Sequence, residues 1–173
     1  MAAPPSALDL NLNNDAALVR YLAYDGRAGA FGKREMDVGL LFTTDHDYMA
    51  MFGAQVIAEA GATVPELEAG LGLKLFGLRF DRDNMFALSI GGQVKYSLPP
   101  SRRFVLGAEG YYAPNVVTTS PAESLSYVSA YAGYEVVPEA LIYVGYRRIS
   151  VDLKNIGNSL MDNGGHFGVR FRF

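Results

Sequence analysis

The feature that most constrains this chain is a two-residue hydrophobic period that recurs over almost its whole length. From Glu66 to Phe76, Leu67, Ala69, Leu71, Leu73 and Leu75 alternate with Glu68, Gly70, Gly72 and Lys74. From Met85 to Leu98, Phe86, Leu88, Ile90, Val94 and Tyr96 alternate with Ala87, Ser89, Gly91, Gln93 and Lys95. Arg103 to Tyr112 sets Phe104, Leu106 and Ala108 against Gly107, Glu109 and Tyr111. Strict alternation of this length marks strands with one apolar and one polar face.

The remaining segments follow the same period. Glu35 to Thr43 puts Met36, Val38, Leu40 and Phe42 opposite Asp37 and Gly39. Tyr48 to Glu59 is rich in Ala and Met and could pass for a helix, but its neighbours favour a strand. Leu125 to Val137 alternates Val128, Ala130, Ala132, Tyr134 and Val136 with Ser129, Tyr131, Gly133 and Glu135. Ala140 to Asp152 begins in phase, and the pair Arg147-Arg148 breaks it, which predicts a bulge there. The last strand sets Phe167, Val169, Phe171 and Phe173 against His166, Gly168, Arg170 and Arg172. Leu8 to Tyr24 is too long for one strand, and Asn13-Asn14-Asp15 is a turn signal that divides it.

The count is therefore ten antiparallel strands in one all-β domain spanning residues 1–173, with eight as the alternative. An even number suits a single-chain up-and-down transmembrane barrel. Two sets of connections alternate. One is Val137 to Glu139, Leu98 to Ser101, Ala62 to Pro65 and the long Asp25 to Arg34. The other is Lys154 to Asn163, Pro114 to Glu123, Asp81 to Asn84 and Asp45 to Asp47.

Composition narrows the choice of environment. Half of the 173 residues are hydrophobic, yet no run approaches the ~18 apolar residues of a membrane helix. The chain has no Cys, which excludes disulfides and thiolate metal sites. A formal charge of −3 leaves no basic footprint for nucleic acid. The start, Met1 to Pro5, has neither a basic segment nor an apolar core of a signal peptide. Either the protein is cytosolic, or Met1 is a start residue set ahead of a mature exported chain whose signal peptide is removed, and the rest of the sequence favours the second.

Alternation alone does not say which face is inside. A soluble lipid-binding barrel keeps its apolar face inward, whereas a membrane barrel turns it to lipid. Gly, Ala and Ser share the polar face with charged residues, as a narrow lumen requires. Tyr24, Tyr96, Tyr111, Tyr112, Tyr127 and Tyr146 lie near strand ends, where aromatic girdles are expected. Phe167, Val169, Phe171 and Phe173 match the C-terminal signal read by the outer-membrane barrel-assembly machinery. These features point to the outer membrane of a Gram-negative cell, with its lipid and lipopolysaccharide as surroundings.

The run Arg103 to Pro114 (RFVLGAEGYYAP), the Tyr-rich Ser126 to Tyr134, Val144 to Arg148 and the closing strand together resemble the YfaZ family of outer-membrane proteins. The resemblance implies localisation in that membrane and no mechanism.

The lumen is the candidate site. Arg20, Asp37, Glu68, Lys74, Gln93, Lys95, Glu109, Glu135, Arg147, Arg170 and Arg172 are expected to line it, with opposite charges paired because an unpaired buried charge is costly. A polar plug in a structural, envelope-supporting protein is favoured over a narrow channel for ions or small solutes. An interfacial lipid hydrolase is a third reading. It would need His166 with Ser159 and Asp162, residues that loops and lumen walls carry in any case. Asp45-His46-Asp47 and Asp81-Arg82-Asp83 have too few ligands for a metal site and read as solvated turns. Gly91-Gly92 relieves crowding or marks a bend. No catalytic set, cofactor, metal site or oligomeric state is indicated by the residues.

Overall fold

The computed structural model describes residues 6–25, 32–59, 64, 66–80, 83–119, 122–153 and 157–173. Ten strands form one closed barrel: β1 (Ser6–Leu12), β2 (Ala16–Asp25), β3 (Lys33–Thr43), β4 (Tyr48–Glu59), β5 (Leu67–Phe80), β6 (Asp83–Leu98), β7 (Phe104–Ala113), β8 (Ala122–Val137), β9 (Ala140–Leu153) and β10 (Gly157–Arg172). Each strand pairs antiparallel with its sequence neighbours, and β1 returns to β10 through Ala7↔Arg172 to Leu12↔Phe167. The expected count of ten and the division of the first hairpin are both found. Asn13 makes that turn by accepting hydrogen bonds from the Asp15 and Ala16 amides. Tyr48–Glu59 is a strand, as its neighbours indicated.

Three expectations need correction. Arg147-Arg148 carries no bulge: Arg147 pairs with Gly164 and Arg148 with Asn163, one inward and one outward. The register shifts instead on β10, between Leu160 and Asp162. The extra residue sends both Met161 and Asp162 into the lumen. Secondly, most of the expected Lys154 to Asn163 loop is strand, because β10 begins at Gly157; residues 154–156 lie outside the described residues. The Pro114 to Glu123 connection is likewise shortened, with a 3-10 turn at Asn115–Val117 and Glu123 already in β8. Finally, three of the six girdle tyrosines face inward. Tyr111 and Tyr127 are buried, and Tyr24 lines an interior cavity. Strand parity decides this, since each sits in step with an inward neighbour: Glu109, Ser129 and Leu22, respectively. Tyr112 and Tyr146 do face outward, each about half exposed.

The two faces differ sharply. Leu71, Leu73, Leu75, Phe86, Leu88, Val144 and Phe167 lie on the outside, and Leu71 is 77% exposed. Polar residues bound this apolar surface. Asp25 and Arg34 lie toward the end that carries both termini, and Arg79, Asn84, Arg148 and Asn163 toward the far end. At ~3.3 Å per residue and a tilt of ~40°, the stretch from Leu67 to Gly77 rises about 25 Å, the height of a lipid-facing band. A soluble lipid-binding barrel would have the opposite polarity.

Inward glycines make room for large polar side chains. A Cβ on Gly53 would lie 2.2 Å from Asp37 Oδ1, and one on Gly39 would lie 2.7 Å from Arg20 Cγ. On Gly107 and Gly168 it would meet the rings of Tyr131 and Tyr143 at 2.3 and 2.2 Å. At Gly91 and Gly92 the obstacle is backbone, the carbonyl oxygens of Gly110 and Gly70 at 2.0 and 2.1 Å. The pair therefore marks a close approach of neighbouring strands, as the sequence suggested.

Candidate functional site: a lumen in three parts

All eleven residues expected in the lumen do face inward. They do not form one plug, but sort into separate groups around and along the bore.

The central group is a quartet. Arg20 on β2 contacts Glu109 of β7 at 2.6 Å and Asp37 of β3 at 3.4 Å. Lys74 on β5 reaches the same two carboxylates, at 3.5 Å from Asp37 and 3.4 Å from Glu109. Tyr127 donates a 2.9 Å hydrogen bond to Glu109, and the Lys74 ammonium stands 4.4 Å from the centre of the Tyr111 ring. Two cations and two anions contributed from around the wall thus neutralise one another across the bore. Their side chains are almost solvent-free, so the balance of charge is what makes the group tolerable.

A second group runs along the β1 seam. Asp9 is held by Arg170 at 2.6 Å and by the Tyr143 hydroxyl. Asn11 donates to the Tyr143 oxygen at 3.2 Å and accepts from Arg147 at 2.6 Å. Arg147 pairs with Asp162, which also accepts from Asn13 at 2.8 Å. Successive inward positions of β1 and its turn are thereby tied to β9 and β10.

The third group surrounds an interior cavity of 240 Å³ at the terminus-bearing end. Lys95 pairs with Glu68 at 3.1 Å, and Lys33 contacts Glu59 and Glu68. Arg172 pairs with Glu135 at 2.9 Å. Glu35, buried behind them, accepts from the amides of Gln55 and Gln93.

Beyond the quartet, toward the far end, the lumen is apolar. Leu18, Leu41, Met49, Phe76, Met85, Leu125, Ile149 and Val151 pack there as one cluster with Tyr127 and Met161. Sequence reasoning missed this tier, as well as Asp9, Asn11, Glu35 and Gln55. The signal for the tier is loss of alternation near strand ends, in Leu40-Leu41-Phe42, Met49 to Phe52 and Leu75-Phe76, where both faces become apolar. Asp9 and Asn11 were legible as the polar partners of Leu8, Leu10 and Leu12.

The candidate hydrolase residues do not converge. His166 is buried edge-on against Tyr143, with ring centres 5.9 Å apart. Asp162 is committed to Arg147 and Asn13, and Ser159 pairs with Val151 farther along β10. Six to seven strand residues separate Ser159 from His166, about 20 Å. At the β3–β4 turn, His46 has φ of 66° and is exposed, and the Asp47 amide donates to Thr43 Oγ1. This is the turn geometry expected for Asp45-His46-Asp47. Of the other acidic tip, Asp81 and Arg82 lie outside the described residues. Among the described residues no group of three or more potential ligands could hold a metal.

No curated protein sequence matches the chain. Among solved structures, one reported as "Unveiling the Mechanism Behind the in-meso Crystallization of Membrane Proteins" is similar over 99% of this chain and 83% of its own, with a TM-score of 0.50 and 12% identity. That degree of identity bears on the fold alone. The model of the YfaZ precursor family matches residues 27–173, well over half of the sequence. The chain belongs to the YfaZ precursor family.

Proposed function

We propose that the protein is an integral barrel of the Gram-negative outer membrane and serves envelope structure through a closed lumen. The precursor family and the closed barrel with an apolar exterior support that location. In this orientation the terminus-bearing end faces the periplasm and the far end faces outward. Arg79 and Arg148, at the far edge of the apolar band, then stand level with lipopolysaccharide phosphates. The barrel-assembly machinery is the proposed folding partner, reading the outward row of Phe167, Val169, Phe171 and Phe173.

The observation that carries the closed lumen is the apolar tier, in which Leu41, Phe76, Leu125, Ile149 and Val151 have no solvent exposure. Neutralising the charged quartet would leave that obstruction in place. A ten-stranded barrel is also narrow, as wide aqueous channels occur nearer 16 strands. Planar-bilayer recording on the refolded protein tests the proposal. Inserted protein without unitary conductance is the expected result. Reproducible unitary steps that change on neutralising Lys74 or Glu109 would overturn it in favour of a narrow channel.

A further inference from the structure

We infer that an exterior groove along β8 holds one anionic phospholipid of the leaflet at the terminus-bearing end, with an acyl chain over Ala132 and the phosphate at Arg103. The inference rests on the membrane reading above. The groove, of 340 Å³, lies on the outer wall between β7 and β9. The register sets Ala132 between Leu106 and Val144, so its floor is a methyl group flanked by two larger apolar side chains. Two residues toward the termini, Tyr134 stands between Phe104 and Ile142, and the Phe104 and Tyr134 rings meet with centres 4.9 Å apart. In the other direction the outward positions of β8 are Ala130 and Val128, both exposed. At ~3.3 Å per residue and a tilt of ~40°, the stretch from Tyr134 to Val128 rises about 15 Å, half of the ~30 Å hydrocarbon core. The groove therefore has the length of a chain in one leaflet.

Charge decides which lipid fits. Arg103 lies just beyond Phe104, at the terminus-side mouth of the groove, and its guanidinium donates to the Tyr134 hydroxyl at 3.5 Å. Arg102 beside it pairs with Glu66 at 3.0 Å, but no carboxylate of the described residues pairs with Arg103. Glu135, next along β8, faces inward and is taken by Arg172. Arg34, toward the same end of the barrel, stands opposite Asp25 in the register. Arg103 is thus an uncompensated cation at the end of an apolar groove. A guanidinium presents paired N–H donors that match phosphate, and the Tyr134 O–H can add another. A headgroup with net negative charge neutralises the arginine, whereas a zwitterionic one brings its own cation.

Native mass spectrometry tests the site on the full chain, refolded into vesicles of equimolar phosphatidylglycerol and phosphatidylcholine and released in a nonionic detergent. One phosphatidylglycerol per barrel should be retained, about fivefold or more over phosphatidylcholine. Arg103→Gln should abolish that preference, and Ala132→Phe, which fills the groove, should reduce retention of both lipids several-fold. Arg34→Gln and Ala54→Phe, which alter a cation and an outward alanine away from the groove, should change neither. Retained heat-modifiable migration on gels shows that each variant is folded, and Ala132→Leu serves if Ala132→Phe is not. Failure of the unaltered chain to insert into the vesicles would overturn the membrane reading and this inference with it. Insertion without selective retention, or retention unchanged in folded Arg103→Gln or in the folded Ala132 variant, would overturn the lipid site alone.

Discussion

Arg147 and Asn11 are 136 positions apart in sequence and 2.6 Å apart in the barrel, where the guanidinium donates to the amide oxygen. The same guanidinium holds Asp162, which in turn accepts from Asn13. One buried cation thus ties the β1–β2 hairpin to the β9–β10 hairpin. Arg147→Ala should destabilise the folded barrel by about 3–5 kcal/mol, because it strands a buried carboxylate. Arg147→Met combined with Asp162→Leu removes both charges and should cost less than Arg147→Ala alone. Urea titration of protein inserted in lipid vesicles, followed by tyrosine fluorescence, measures both.

The central quartet should behave as a structural unit rather than as a gate. Lys74→Met leaves Arg20 alone between Asp37 and Glu109, and the expected loss is again about 3–5 kcal/mol. Bilayers containing this variant should remain electrically silent, since the apolar tier beyond the quartet is intact. Conductance appearing in Lys74→Met would show that the charges themselves close the bore.

The inward glycines make a coupled prediction. Gly168→Ala places a methyl group 2.2 Å from the Tyr143 ring, and overpacking of this kind costs about 1–3 kcal/mol. In a Tyr143→Leu background the obstructing ring end is gone, so the alanine should cost markedly less. A double-mutant cycle in the same urea titration gives the coupling, and strict additivity would contradict it.

Outside the barrel, the cost of a charge should depend on depth. Leu73→Arg, in the middle of the apolar band, should lower the stability of the inserted protein by about 2–4 kcal/mol, and Asn84→Arg at the far edge by about 0–1 kcal/mol. Equal effects at the two positions would argue against a lipid-facing exterior.

Much of the barrel was legible because period two records the facing of every residue that alternates. Leu67 to Leu75 and Met85 to Leu98 are found on the faces their spacing indicates, and the Asn13 turn was visible in its own chemistry. The bulge was misplaced because adjacent arginines look like a phase error. Arg148 in fact reaches outward at the polar edge of the band, where its charge is tolerated, and the phase is preserved. Asp162 looked like a loop residue for the related reason that Asn, Asp and Gly favour turns, whereas here they build the polar start of β10. The division of the lumen into tiers depends on how far each side chain lies along the barrel axis. Alternation reports inside or outside and carries nothing about height. The pairing of Arg20 with Glu109, across 89 positions, could come only from the register.

The join between the first and last strands holds six paired positions, against fourteen between β9 and β10. Hairpins between consecutive strands can form as the chain arrives, but this join needs segments some 160 residues apart. The ring therefore stays open until its tenth strand is delivered. During that interval β1 and β10 each present an unpaired edge that could recruit the wrong chain. Short pairing at the join makes its completion depend on Asp9, Asn11 and Asn13 finding their partners. A chain whose first or last strand is misaligned or missing cannot make those polar contacts.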